Sequence, residues 1–214
     1  MIKKIVTIGP ESTGKSMLCE QLATHYGTTW CPEYAREYLL KNGTDYSYED
    51  LLTIACGQVE LEDKAIGEWS MVNKKQSEDN SNPQKSESAH SPLTIHHLPH
   101  SPLATHHTPL FVDTNMYVMK VWCEFVFGNC HRYILDQIVE RKYDLYLLCN
   151  IDLPWVKDEL REYPDLETRR KLYAIYKDIL INQSVPWVEI SGNYEERFQS
   201  AVKAVDQLIM NVKL

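Results

Sequence analysis

Gly9-Pro10-Glu11-Ser12-Thr13-Gly14-Lys15-Ser16 follows the apolar run Ile5-Val6-Thr7-Ile8 and leads into Met17-Leu18-Cys19-Glu20-Gln21-Leu22-Ala23, whose apolar positions 17, 18 and 22 share one helical face. Strand, loop and helix in that order give the pattern G-x-x-x-x-G-K-[ST] a mechanical meaning. Gly9 and Gly14 permit backbone conformations closed to residues with side chains, so successive N–H groups turn inward and form an anion-binding concavity. A helix starting near Lys15 adds its free N–H groups and the positive end of its dipole. Lys15 is then expected to reach the β- and γ-phosphates of ATP, and the Ser16 hydroxyl to hold Mg²⁺.

With 214 residues the chain is long enough for one α/β domain with a sizeable core. A formal net charge of -8 and a pI near 5.5 argue against nucleic-acid or anionic-membrane surfaces, which need a basic footprint. A small-molecule or protein partner is favoured instead. No apolar run approaches the roughly 18 residues of a membrane span. Met-Ile-Lys-Lys passes directly into the first strand, without signal-peptide architecture, so a cytoplasmic protein is expected. Cysteines 19, 31, 56, 123, 130 and 149 lie among apolar neighbours and form no C-x-x-C pair, as befits small buried hydrophobes in a reducing compartment.

Further along, Thr28-Thr29-Trp30-Cys31 reads as a short strand stopped by Pro32, Glu33 to Lys41 as a helix, and Ser47 to Trp69 as a longer one with a buried apolar side. From Met71 to about Pro109 the apolar period vanishes. This tract ends in a tandem repeat, His90-Ser91-Pro92-Leu93-Thr94-Ile95-His96-His97-Leu98-Pro99 followed by His100-Ser101-Pro102-Leu103-Ala104-Thr105-His106-His107-Thr108-Pro109, holding six of the eight histidines. A metal site there would need rigid outer support that Ser/Pro/Asn-rich sequence does not supply. The expectation is one domain spanning 1–214, interrupted by a disordered insertion at about 71–109.

Order returns at Leu110-Phe111-Val112-Asp113-Thr114, where an apolar strand ends in a carboxylate suited to sit beside Mg²⁺; Asp113, Thr114 or Asn115 would equally serve as a helix N-cap. Helices at Met116–Phe127 and His131–Lys142 precede a buried strand, Asp144 to Cys149. Arg161, Arg169 and Arg170 then lie on a segment able to close over a phosphoryl group; paired with Glu162, Asp165 or Glu167 they would instead face solvent. A last strand, Trp187 to Ile190, and a helix from Tyr194 to about Val212 close the chain. Five strands alternating with helices, the first carrying the phosphate loop, predict a parallel sheet covered on both faces, an α/β P-loop NTPase/kinase fold.

Five stretches together, the phosphate loop, Glu33-Tyr34-Ala35-Arg36-Glu37, Gly57-Gln58, Phe111-Val112-Asp113-Thr114 and Trp155-Val156-Lys157-Asp158-Glu159-Leu160-Arg161, resemble the ribosylnicotinamide kinase domain of NadR-type proteins, in the same order. The resemblance implies strand order 2-3-1-4-5 and transfer of the γ-phosphate of ATP to the 5′-hydroxyl of nicotinamide riboside. Nucleotide and Mg²⁺ contacts are then expected from Gly9, Glu11, Ser12, Thr13, Gly14, Lys15, Ser16, Met17, Arg161, Asn193 and, for the metal, Asp113. Glu33, Tyr34, Arg36, Gln58, Asp113, Trp155 and Asp158 are expected at the nucleoside. Asp113 is favoured for the metal and for proton acceptance, Glu33 for the ribose hydroxyls; the reverse assignment, or a surface pair of Glu33 with Arg36, stays open. Pro32 stands where the family has a tryptophan, which leaves Trp30, Tyr34, Tyr117 or Trp122 to flank the base, and Asn115 replaces an aspartate. No H-x-G-H element is present, so adenylyl transfer is not expected. A kinase for another nucleoside or nucleotide, and a regulatory ATP-binding module with slow ATPase activity, are the alternatives.

Overall fold

The structure is a computed structural model describing residues 2–79 and 108–210. Its elements run β1 (Ile2–Ile8), α1 (Lys15–Tyr26), β2 (Trp30–Cys31), α2 (Tyr34–Asn42), α3 (Tyr48–Asp79), β3 (Thr108–Asp113), α4 (Met116–Phe127), α5 (Arg132–Glu140), β4 (Leu145–Cys149), α6 (Leu166–Ile181), β5 (Trp187–Ile190) and α7 (Tyr194–Met210). Every strand pair is parallel and the order is β2-β3-β1-β4-β5, as expected. Because β1 is central, its apolar run is buried on both sides, with Ile5, Val6 and Ile8 all inaccessible. Alternation divides the core: Ile5, Leu145 and Leu147 pack against Leu22 of α1 and Val205 of α7, while Val6, Tyr146 and Leu148 pack against Val118 of α4 and Leu172 of α6. A third apolar cluster joins α2, α3, α4 and α5 through Leu39, Leu51, Ile54, Met119 and Ile134. The register sets Thr7 opposite Asp113, which brings the end of β3 beside the start of the phosphate loop.

Several boundaries differ from the sequence reading. The second strand shortens to Trp30–Cys31. The third helix continues past Trp69 and the start of the polar tract to Asp79, because Lys74, Lys75, Gln76 and Glu78 are good helix formers whether or not an apolar face continues. At the other end, Thr108 and Pro109, which close the second repeat, already belong to β3: they pair with Ile2 and Lys3, and Pro109 O accepts the Thr28 hydroxyl at 2.6 Å. The remainder of the expected insertion, with its histidines, lies outside the described residues. Among the described residues no cluster of His, Cys, Asp or Glu is arranged to hold a metal, no helix is long and apolar enough to cross a membrane, and all six cysteines are free.

Candidate active site

The phosphate loop needs its glycines. Gly9 has φ +141°, and a Cβ there would stand 2.6 Å from Cys149 O; Gly14, at φ +77°, is the last residue before α1. Ser12 also adopts a left-handed conformation, φ 56°, a cost that places its neighbours' amides on one side of the loop. No side chain caps α1, so its first N–H groups are left for an anion. Lys15 Nζ and the Thr13 hydroxyl both donate to Pro10 O at 2.8 Å, which folds the lysine over the loop it serves.

Two carboxylates stand next to this loop in different settings. Asp113, at the end of β3, is fully buried; Oδ1 accepts from the Thr7 hydroxyl at 3.4 Å, while Oδ2 has no hydrogen-bond partner among the described residues. Burial raises its pKa, opposed by the charge of Lys15 and by the nearby hydroxyls of Ser16 and Thr7. Glu33 precedes α2 and lines a cavity of about 500 Å³. Loss of water and the neighbouring Asp113 push its pKa up to about 7, against the pull of Lys15. Thr114, a β-branched residue held at φ 78°, links the two: its N–H donates to Thr7 O and its hydroxyl to Glu33 Oε1 at 3.5 Å.

The cavity runs from the phosphate loop to an apolar end and is roofed by a flap, residues 151–165, between β4 and α6. The flap hangs from the loop's own side chains. Glu11 Oε2 accepts N–H groups of Glu162 and Tyr163 at 3.0 and 3.3 Å, and Ser12 Oγ accepts that of Val156 at 3.0 Å. Arg161 donates to Ser12 Oγ at 3.4 Å. Across the mouth, Arg36 makes a forked pair with Asp158 at 3.2 Å, so Arg36 is not the partner of Glu33. The apolar end is built by Val118, Val121, Trp122 and Phe125 of α4, with Leu39 and Tyr163. Trp122 is fixed by donating to Tyr46 OH at 2.8 Å, which in turn donates to Glu162 at 2.9 Å.

Gly9, Glu11 to Met17, Glu33, Arg36, Asp158 and Arg161 thus meet around one cavity, which Asp113, fully buried, does not line. Four other expected contacts, Gln58, Tyr34, Trp155 and Asn193, stand back from it. Gln58 is buried, accepts Tyr34 N–H at 2.7 Å and donates to Pro32 O at 3.2 Å; Tyr34 lies on Gly57, where a Cβ would fall 2.1 Å from its ring. Gly57, Gln58 and Tyr34 therefore hold the turn that presents Glu33. Trp155 supports the guanidinium of Arg169 at 5.4 Å. Asn193 caps α7, accepting the N–H groups of Glu195 and Glu196 at 3.0 and 3.1 Å. Asn115 likewise caps α4, accepting from Tyr117 at 3.0 Å. Arg170 is exposed, whereas Arg169 is buried and donates to Ser12 O at 3.5 Å.

The sheet order, the phosphate loop at the end of the central strand and the arginine-bearing flap define the class, a P-loop kinase fold. Residues 4–197 match the AAA domain family, to which the chain belongs. It is similar to the trifunctional NAD biosynthesis/regulator protein NadR of Escherichia coli (strain K12), 24% identical over 213 residues, which cover 97% of this chain and 43% of the relative. The protein of the same description from Salmonella typhimurium is also 24% identical over 213 residues. The chain therefore spans less than half the length of these curated relatives. Among solved structures, NadR protein in complex with NR superposes with TM-score 0.62 at 18% identity, covering 99% of this chain and 52% of that one. A thymidylate kinase from Ehrlichia chaffeensis gives 0.58 at 14% identity, covering 95% and 98%. These structural likenesses show the fold, and the similarity to NadR read from five short stretches extends over nearly the whole chain.

Proposed function

We propose that the protein is an ATP-dependent kinase that transfers the γ-phosphate to the 5′-hydroxyl of nicotinamide riboside. The observation that carries this reading is Glu33, a carboxylate raised toward neutrality on the wall of a cavity with a phosphate loop at one end and an aromatic slot at the other. The NadR structure holding NR supports the choice of nucleoside. Asp113 is expected from the sequence to serve both metal and proton; because it is completely buried, it is assigned the metal alone. Its Oδ2, without a partner among the described residues, and the nearby Ser16 hydroxyl suit a hard cation with oxygen ligands, and Mg²⁺ held there would offset charge on the phosphate oxygens.

Glu33 accepts the proton of the ribose hydroxyl as its oxygen attacks the γ-phosphorus. The new O–P bond forms as the bond from phosphorus to the β,γ-bridging oxygen breaks, and ADP leaves with that electron pair. Lys15, the inward amides and Arg161 stabilise the charge spread over the transferring group. The flap excludes water, which would otherwise compete as acceptor. Purified protein is to be incubated with γ-labelled ATP and, separately, nicotinamide riboside and a panel of deoxynucleosides. Label is expected on nicotinamide riboside in preference; preferential labelling of a deoxynucleoside would overturn the substrate, and no labelling with intact ATP binding would overturn the enzyme.

A further inference from the structure

An anion-binding loop has a reverse side. When its N–H groups turn toward the ligand, its carbonyls turn away, and buried carbonyls require donors. Pro10 O takes two, from Thr13 and Lys15, and Gly14 O takes the N–H of Leu18 in α1. Ser12 O and Thr13 O point away from any strand ladder, and each is met by a buried guanidinium, Arg169 from α6 and Arg197 from α7.

Arg197 is the more tightly held. It is 3% exposed; Nη1 donates to Thr13 O at 3.0 Å, Nη2 to Asn150 O at 2.9 Å and Nε to Gly192 O at 2.8 Å, and it forms an ion pair with Asp152. Asp152 Oδ2 also accepts the N–H of Gly192 at 2.6 Å. One planar fork therefore joins the phosphate loop to the chain leaving β4 and the chain leaving β5. Lysine, with a single ammonium on a flexible stem, cannot span three carbonyls that diverge in this way.

The geometry points to Arg197 as a positioning residue for nucleotide binding: it fixes Thr13 O on the reverse side of the loop so that the amides beyond it stay aimed at the phosphates. This rests on the reading of the loop as the ATP site; Arg197 does not line the cavity and meets the flap only at its root, Asp152. Arg197→Lys and Asp152→Asn are to be compared with the unaltered full chain by calorimetric titration with the non-hydrolysable analogue AMP-PNP and Mg²⁺, by thermal melting, and by KM for ATP and for the acceptor. Arg197→Lys is expected to weaken AMP-PNP binding about tenfold and raise KM for ATP in step, with acceptor KM within about twofold, since a well-made charged hydrogen bond is worth about that factor. Asp152→Asn keeps the guanidinium but loosens its anchor, and is expected to weaken AMP-PNP binding about threefold.

Unchanged nucleotide affinity in a folded Arg197→Lys protein would overturn the role. Should that variant fail to fold, unchanged affinity in Asp152→Asn would overturn it equally, as would equal rises in both KM values. If the unaltered chain does not bind AMP-PNP, the ATP reading itself falls, an outcome the variants cannot imitate.

Discussion

Asp113 and Glu62 are both buried carboxylates, on β3 and on α3, at opposite ends of the same sheet, and their surroundings differ in kind. Glu62, 2% exposed, is paired with Lys4 at 3.1 Å and Arg141 at 3.4 Å and accepts the Tyr143 hydroxyl at 2.8 Å. Asp113, 0% exposed, has one long hydrogen bond and an oxygen without a partner among the described residues. A buried charge whose valences are filled by its own protein fixes helix to sheet; one left partly unfilled is kept for something that comes and goes. Under the proposed function, the strand-start end of the sheet is scaffold and the strand-exit end is the working end.

The sharpest way to break this contrast is to make both side chains neutral. Asp113→Asn should lower kcat by about 10²–10³-fold with ATP affinity nearly intact and no loss of Tm, because an unpaired buried carboxylate does not stabilise the fold. Glu62→Gln should do the reverse. It is expected to cost about 2 kcal/mol, or about 4–8 °C in Tm, from stranding Lys4 and Arg141, with turnover per folded molecule unchanged. Melting curves and steady-state kinetics on the two proteins decide it; equal effects on either measure would erase the distinction.

Glu33 adds a pH dependence to the working end. A proton acceptor must be ionised, so kcat/KM should fall about tenfold per pH unit below a pKa of about 7, and Glu33→Gln should remove that limb together with most of the activity. The linked stability has the opposite sign. Between an ordinary glutamate pKa of 4.5 and about 7 the folded state holds the proton more tightly than the unfolded chain does. Stability from this group therefore falls as pH rises through that window, and Glu33→Gln should flatten the change in chemical-denaturation titrations. The smallest effect is expected in between the two carboxylates in sequence: replacing 80–107, which joins α3 to β3, with a glycine–serine chain of equal length should leave AMP-PNP affinity within about twofold, whereas a larger loss would bring that segment into the site.

The fold was legible because its deciding signals are local. Eight consecutive residues specify the phosphate loop, and two-sided burial marks the buried parts of β1, β3 and β4 as largely apolar runs. The acceptor end was not. Val118, Val121, Trp122 and Phe125 recur at helical spacing, and periodicity alone cannot tell a cavity wall from a core face. In sequence Trp122 is one aromatic among several candidates, and nothing local marks Tyr163. Arg197 sits in the first turns of a helix, where an arginine ordinarily faces water; its partner Thr13 is 184 positions away, so only the strand order reveals it. Gln58 and Tyr34 illustrate a subtler limit: a short pattern marks where a site is without saying which of its members touch the ligand and which hold the turn.

The flap is suspended from Glu11 and Ser12, two residues of the very loop that grips the triphosphate. Under the proposed function, donor and acceptor nucleosides are in consequence not independent guests. A triphosphate that shifts those two side chains alters the roof over its neighbour, and reciprocity obliges the neighbour to alter triphosphate affinity by the same factor.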